Sequence, residues 1–454
     1  MTQFRDKSAW AAFRAWISST PSGPVLILIQ GFSAWLWWIT SSYFEVDLFA
    51  SRSFEGADAW CDPDSQGLGI HCWGDYYYPI FLMALENPFD AGPTYLNPYP
   101  AAALMPFMFF DGVGRILGLP GLGVGLYLAF MLLGVFWSIW FGTRGLPVGE
   151  RLVLFSTLSF LSPPVIMVFD RGNSVGFLVP ILVWYFSSIH SGRWMQAALS
   201  VSLMSVIKPH FALVALALWV SGRTKVAFAS LLLASVINIL PFLVFWGRDF
   251  PQNIIQWGVS LISFQDWSSV ENPIPPNTSF AQGIYSLIFL VGQIAPIQEI
   301  EQILSEISGT QGLWGFVVLA VALGIVIAFR RSLSLNQISI ILISSISLVS
   351  ATTYYYYGVF AVPFILALTT LGSRSLDSGD KSRSQIHGVE IKSVSFVLWM
   401  ASIGTMIQIP VFGLLEGDQI VTSSTFVGFW WILAYILIFG LLIRTFASRR
   451  RKFQ

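Results

Sequence analysis

The sequence predicts an all-α polytopic membrane protein of about twelve transmembrane helices, within a range of about 11–13, with a large first external loop that carries short interfacial helices. Three observations carry that prediction. Over 454 residues the chain is 55% hydrophobic and only 11% charged, with a mean hydropathy of +0.69, more apolar surface than a soluble fold can hide from water. Hydrophobic runs of about 20 residues recur along the whole length. Lysine and arginine gather beyond the first and last runs and in several short connections, as they do on the cytoplasmic side of a membrane.

The runs fall at about 25–44, 100–117, 121–141, 152–169, 173–190, 195–220, 226–246, 279–296, 313–330, 335–351, 355–371, 393–413 and 424–444. The first is too long for a signal-peptide core and lacks a small-residue cleavage pattern, so it reads as a retained span. Arg5, Lys7 and Arg14 precede it, and Arg449, Arg450, Arg451 and Lys452 follow the last run. Both termini are therefore expected in the cytoplasm, with the chain in the plasma membrane. Arg223 with Lys225, and Arg330 with Arg331, are further inside markers. Two cytoplasmic ends require an even number of crossings. Run 279–296, whose flanking polar loops carry no positive cluster, is accordingly demoted to an interfacial or re-entrant segment.

Residues 1–454 then form one integral membrane domain with three polar interruptions: the external loop 46–98, a second external or interfacial module at 247–312, and a cytoplasmic linker at 372–392 of disordered composition. Within 247–312, Ile297, Ile300, Ile303, Leu304 and Ile307 alternate at helical spacing with Glu299, Glu301, Gln302 and Glu306, the pattern of a helix lying along the outer surface. Simple counting puts Asp170-Arg171-Gly172-Asn173 inside and Arg193 outside, against the positive-inside trend. Ser162-Pro163-Pro164 and Lys208-Pro209 interrupt their runs, and half-length broken helices would bring both turns to the outer face.

Net charge is zero, which leaves no basis for nucleic-acid binding and makes the placement of each charge the usable signal. Asp75 precedes Tyr76, Tyr77 and Tyr78 and the apolar stretch Pro79 to Leu85. A carboxylate capping such an interfacial helix sits at membrane depth yet stays reachable from water. Asp47, just past the first span, is the rival carboxylate. Asp170, Arg171, Asn173 and Ser174 lie between two apolar runs with almost no loop to spare, where unpaired charge costs a few kcal/mol. One reading is an Asp170–Arg171 pair that caps two helices; the other offers Arg171 to an anionic lipid headgroup. Lys208 lies far from either end of its run, so its partner is a neighbouring carboxylate or a phosphate.

Other features read as structural. Asp111 and Arg115, four apart, suit an intrahelical ion pair. Tyr354 to Tyr357 open a run at the outer boundary, as an aromatic belt or as a wall touching sugar or prenyl chain. Cys61 and Cys72 both lie in the 46–98 loop, and a disulfide between them is allowed if the loop faces an oxidising side. A metal site built with His71, Asp62 and Asp64 is the alternative, but the spacing matches no zinc pattern. No metal site and no cofactor are assigned, although a divalent cation is compatible with the chemistry.

Taken together, the first span, the loop with Asp75, the Asn87-Pro88-Phe89 and Asn97-Pro98-Tyr99-Pro100 repeats, the Gly172-Asn173 turn and Lys208-Pro209 resemble the polyprenyl-phosphate-sugar-dependent membrane glycosyltransferases of the GT-C fold. The likeness is to their actinobacterial, mannosyltransferase-like branch, the DUF2029 group, and it covers about residues 25–246. It implies a GT-C-like fold and an inverting transfer of mannose or another hexose or pentose. The partners it implies are a polyprenyl-phosphate-linked sugar donor, a lipid or glycan acceptor of the cell envelope, and membrane lipids. Asp75 would take the place of the loop aspartate that acts as base, with Asp47 as the alternate; Arg171, Asn173 and Lys208 would approach the donor, with Tyr76 and Asp170 beside them. Gly172-Asn173 stands where Gly-Gln-x-Asn is usual. A transporter or flippase of an anionic lipid-linked substrate would use the same intramembrane cations. A non-catalytic envelope assembly protein would use the loop as a partner surface.

Overall fold

The structure is a computed structural model that describes residues 22–44, 73–85, 87–89, 97, 99–245, 249–270, 278–294, 300–349, 353–371, 381–415 and 419–452. Asp47, Cys61, Cys72, His71, Asp62 and Asp64 lie outside the described residues. The described chain is almost wholly helical. In chain order the helices are α1 (Ser22–Phe44), α2 (Gly74–Ala84), α3 (Ala101–Ile116), α4 (Pro120–Gly142), α5 (Val148–Leu158), α6 (Pro163–Arg171), α7 (Leu178–His190), α8 (Trp194–Ile207) and α9 (Ala215–Val220). They continue as α10 (Thr224–Phe245), α11 (Phe250–Val270), α12 (Phe280–Ile294), α13 (Ile300–Gly309), α14 (Gln311–Phe329), α15 (Leu335–Ser347), α16 (Ala361–Leu366), α17 (Lys381–Met406) and α18 (Val427–Lys452). One antiparallel hairpin, β1 (Pro410–Leu415) with β2 (Gln419–Thr422), joins the last two helices.

Every apolar run has a helical counterpart, but their lengths differ from the expectation of uniform spans. Among the described residues, four helical stretches are long and apolar enough to cross a membrane: Gly121–Gly142, Thr224–Phe245, Gly312–Phe329 and Ser423–Ala447. A fifth arises if α5 and α6, bent by 53° at their junction, count as one broken span. Shorter apolar helical stretches include Ile27–Leu36, Ser174–His190, Trp194–Ile207, Leu335–Ser347 and Ser393–Met406. Proline and polar breaks explain the shortening. Run 152–169 is cut at Ser159–Ser162 ahead of Pro163 and Pro164, and run 195–220 at Lys208-Pro209, since proline lacks the N–H that would continue the ladder. Run 393–413 gives way to a strand at Pro410. α17 begins inside the 372–392 linker, of which residues 372–380 lie outside the described set.

The outer surface is what lipid requires. Phe228, Leu232, Val236, Leu240 and Val244 of α10, and Phe130, Leu133 and Trp137 of α4, are all exposed among the described residues, an apolar surface of the kind a bilayer solvates. The interior holds the polar groups. From Gln337 to Ser347 every residue of α15 is buried, and its serines tie it to neighbours: Tyr185 Oη of α7 lies 2.8 Å from Ser339 Oγ, and Tyr435 Oη of α18 lies 2.8 Å from Ser344 Oγ and donates to the Ile341 carbonyl at 3.1 Å. α1 is anchored likewise, with Ser33 Oγ donating to the Gln408 carbonyl at 2.7 Å.

The pieces of the 247–312 module are helices α11 to α13. α12 packs against α14 and α18 with Ala281, Gln282 and Ser286 buried. α13 buries Leu304 and Ile307 on one face and leaves its polar face outward, the amphipathic pattern that its spacing requires.

Tyr435→Phe tests the central post. It removes the hydroxyl that donates to the Ile341 carbonyl and meets Ser344 Oγ, so unfolding stability falls by about 1–2 kcal/mol, read as a lower thermal midpoint of the purified chain in detergent.

Candidate functional site

The site forms where three interrupted segments meet: the first turn of α2, the α6–α7 junction, and the break after α8. Trp73 takes a left-handed conformation (φ 45°), the one positive φ of a non-glycine among the described residues, and turns the chain into α2. Its backbone carbonyl accepts from Tyr76 and Tyr77 N–H at 2.8 and 3.1 Å, and Asp75 stands in the first helical turn, where the helix dipole favours a carboxylate.

α6 ends at Gly172, also left-handed (φ 63°). A Cβ at this position would lie 3.0 Å from Tyr76 Cβ and 3.5 Å from Trp73 Cβ. Glycine is thus required twice over, for its backbone angle and for the close approach of α6 to α2. The approach delivers Arg171 and Asn173 to Asp75. Arg171 Nη2 lies 3.2 Å from Asp75 Oδ1 and its Nε donates to Oδ2 at 3.3 Å, while Asn173 Nδ2 donates to Oδ2 at 2.8 Å. Asn173 does double duty, because its Oδ1 accepts from Val175 N–H at 2.9 Å and caps the 3₁₀ turn Ser174–Phe177 that leads into α7. Arg171 and Asn173 are buried, at 5% and 1% exposure, and the Asp75 side chain retains 19%. Burial pushes the Asp75 carboxyl up to about 6, against the Asn173 hydrogen bond and the Lys208 charge that pull it down.

Lys208 caps α8 in an extended conformation before the 3₁₀ turn Pro209–Val214. Its Nζ sits 4.8 Å from the centre of the Tyr99 ring, and the carboxylate whose charge it feels is Asp75. Tyr99 is held by a device that the sequence displays twice. Asn87 Oδ1 accepts from Phe89 N–H and Asn97 Oδ1 from Tyr99 N–H, both at 3.0 Å, so each Asn-Pro-aromatic repeat is an Asx turn. The repeats are clipped together, Asn97 Nδ2 donating to the Pro88 carbonyl at 3.1 Å, and Asn87 Nδ2 donates to Asn253 Oδ1 of α11 at 2.8 Å.

Of the residues singled out in the sequence, Asp75, Arg171, Asn173 and Lys208 are brought together, and the Asp170–Asn173 turn lies on the same side as α2. Both runs are broken where proline predicts it, at Ser162-Pro163-Pro164 and at Lys208-Pro209. Two placements bear on the roles expected of these residues. The Arg171 guanidinium and the Asn173 amide nitrogen are both directed at Asp75. Tyr76 is 1% exposed and turned into an aromatic core with Tyr127 at 4.8 Å and Phe107 at 5.9 Å, because successive residues of a helix point about 100° apart. Asp170 is buried on α6. Asp111 and Arg115 pair at 2.6 Å one turn apart on α3. Sequence reasoning missed Tyr99 as a platform for Lys208; its signal was the duplicated Asn-Pro-aromatic repeat.

The family model of glycosyltransferase family 87 matches residues 95–352. That stretch contains Tyr99, Arg171, Asn173 and Lys208, and Asp75 lies just ahead of it. No curated protein and no solved structure matches the chain.

Gly172→Ala tests how the site is assembled. A left-handed alanine costs about 1–2 kcal/mol, and its methyl presses on Tyr76, so the thermal midpoint falls. The same change at Gly121, where a Cβ meets nothing within 4 Å, leaves the midpoint near wild type.

Proposed function

The chain belongs to glycosyltransferase family 87, and on that premise we propose that it moves a sugar, mannose or another hexose or pentose, from a polyprenyl-phosphate donor to a glycolipid or glycan acceptor of the cell envelope. Transfer takes place at the outer face of the plasma membrane, with Asp75 as the single base and inversion at the anomeric carbon. In this reading about twelve crossings of GT-C type carry the site. The observation that supports it is the meeting of a largely buried carboxylate with Arg171 and Asn173, beside Lys208, at the junction of three broken segments.

The chemistry follows from the donor. A sugar on a lipid phosphate already carries a good leaving group, so its departure needs a cation more than a proton. Asp75 takes the proton from the acceptor hydroxyl, and the acceptor oxygen forms its bond to the anomeric carbon from the face opposite the phosphate. The bond from that carbon to the phosphate oxygen breaks, and the polyprenyl phosphate leaves with the electron pair. Lys208 balances the charge gathering on the departing phosphate. Arg171 and Asn173 fix the direction of the Asp75 carboxylate, and Arg171 adds a second positive charge to the same space.

A carboxyl near 6 suits this role, since a general base works best with its pKa close to the working pH. The base must be ionised, so transfer rises with pH through about 6 and levels above it. A flat profile from pH 5 to 8 would contradict the assignment.

Asp75→Asn keeps the size and the contact with Asn173 but removes the base. Transfer from a polyprenyl-phosphate sugar panel to a membrane acceptor extract falls about 10²–10⁴-fold, while the chain still folds, with a lower thermal midpoint because buried Arg171 loses its charged partner. Retained transfer would move the base to Asp47. Lys208→Gln slows the chemical step by roughly 10²-fold at saturating donor.

A further inference from the structure

The run Tyr354-Tyr355-Tyr356-Tyr357 enters the 3₁₀ turn Tyr355–Phe360 with Tyr354 as its cap, and Tyr357 N–H donates to the Tyr354 carbonyl at 3.0 Å. In a 3₁₀ turn, residues three apart eclipse one another. Tyr354 and Tyr357 therefore share one face and are half-buried, whereas Tyr355 is driven into the core at 0% exposure. Tyr356 lies between the two: its ring stacks on Tyr354 with centroids 5.4 Å apart and planes inclined by 14°, and it lies 5.1 Å from Tyr357. Tyr354, Tyr356 and Tyr357 thus make one aromatic surface with two partly accessible rings.

That surface adjoins the carboxylate. Tyr354, Tyr356 and Tyr357 all feel the charge of Asp75, the Arg171 guanidinium lies 5.8 Å from the Tyr354 ring centre, and the exposed His210 lies 6.4 Å from that of Tyr357. Tyr357 also borders a narrow cavity whose other walls include Thr278, Ser347, Thr353 and Thr405.

We infer that Tyr354 and Tyr357, backed by Tyr356, are the platform on which the apolar face of a pyranose ring lies while its hydroxyl points to Asp75. This inference rests on the sugar-transfer reading and adds to it the residues that receive the ring. Three properties select a sugar. Aromatic faces are electron-rich and disfavour a phosphate, which Lys208 and Arg171 attract instead. A prenyl chain needs a continuous apolar trough, but this surface is rimmed by Arg171, His210 and phenol hydroxyls. A pyranose ring has one face of C–H groups for the rings and an edge of hydroxyls for that rim.

The test uses the full chain in nanodiscs, with octyl mannopyranoside and octyl glucopyranoside as probes and octyl phosphate as the anionic control. Tyr354→Leu and Tyr357→Leu keep bulk and apolarity but remove the ring face, and each weakens octyl glycoside binding roughly tenfold. Tyr357→Phe stays within about twofold of wild type, and octyl phosphate binding does not change in any of the three. A measurement on the unmodified chain covers the case of a leucine variant that misfolds: saturating octyl glycoside protects Tyr354 and Tyr357 from nitration by tetranitromethane, mapped by mass spectrometry, and octyl phosphate does not. Equal glycoside affinity in wild type and both leucine variants, or nitration unaffected by glycoside, overturns the inference. Its failure is separable from that of the enzyme reading. Loss of glycoside binding in the leucine variants with full transfer in Asp75→Asn keeps the platform and removes the base; the opposite pair of results keeps the base and removes the platform.

Discussion

Asp75 and Arg171 can leave water only together, and much of the surrounding structure follows from that constraint. An isolated carboxylate or guanidinium in a low-dielectric setting carries a penalty of several kcal/mol, and a buried pair offsets it only with good geometry and added hydrogen bonds. The two residues stand 96 positions apart, and Asn173 supplies the extra bond. Bringing them into contact demands that α6 stop at its charged end, that the chain reverse at once through left-handed Gly172, and that nothing larger than hydrogen project toward Tyr76. Trp73 accepts an unfavourable backbone angle on the opposite side of the same contact. The strain and the close packing of this region therefore concentrate on the residues that deliver the pair.

The broken helices serve the same end. A continuous span from Leu152 to Arg171 would carry its last residues wherever a straight helix led; the 53° bend at Ser159–Ser162 re-aims α6 toward α2. The interruption at Lys208-Pro209 holds the backbone of Lys208 extended, so its side chain lies against Tyr99 rather than along a helix face. Irregular backbone at membrane depth persists where protein satisfies its polar groups. The Asx turns of Asn87 and Asn97 and the cap of Asn173 do so here, each with a side-chain oxygen on a backbone N–H two residues on.

Much of this was legible in the sequence, and the limits of that legibility are physical. Apolar runs marked the helices because burial in lipid writes directly into composition, and the prolines marked the breaks because a missing N–H is local chemistry. The charges Asp75, Arg171 and Lys208 stood out since each is expensive in an apolar chain. What one residue touches is not local. The sequence left Arg171 between a pair with Asp170 and a lipid headgroup, and nothing in it pointed to the contacts of Arg171 and Asn173 with Asp75, 96 and 98 residues away. Tyr76 was grouped with Asp75 by adjacency, but neighbours on a helix point about 100° apart. The tyrosine run reads as a membrane belt or as a wall touching sugar or prenyl chain, and the 3₁₀ backbone that sorts its rings by face is not visible in the run itself. Span number is the least legible feature, because an apolar run signals a helix but not one long enough to cross.

The contact between Asp75 and Arg171 is also the most direct thing to measure. A double-mutant cycle with Asp75→Asn, Arg171→Gln and the double variant, read as unfolding free energy of the purified chain, isolates their coupling from whatever each residue does elsewhere. The account predicts a coupling of about 1–3 kcal/mol, with the double variant less destabilised than the sum of the singles. Additivity within about 0.5 kcal/mol would mean that the two charges do not hold each other, and the site would lose the interaction that organises it.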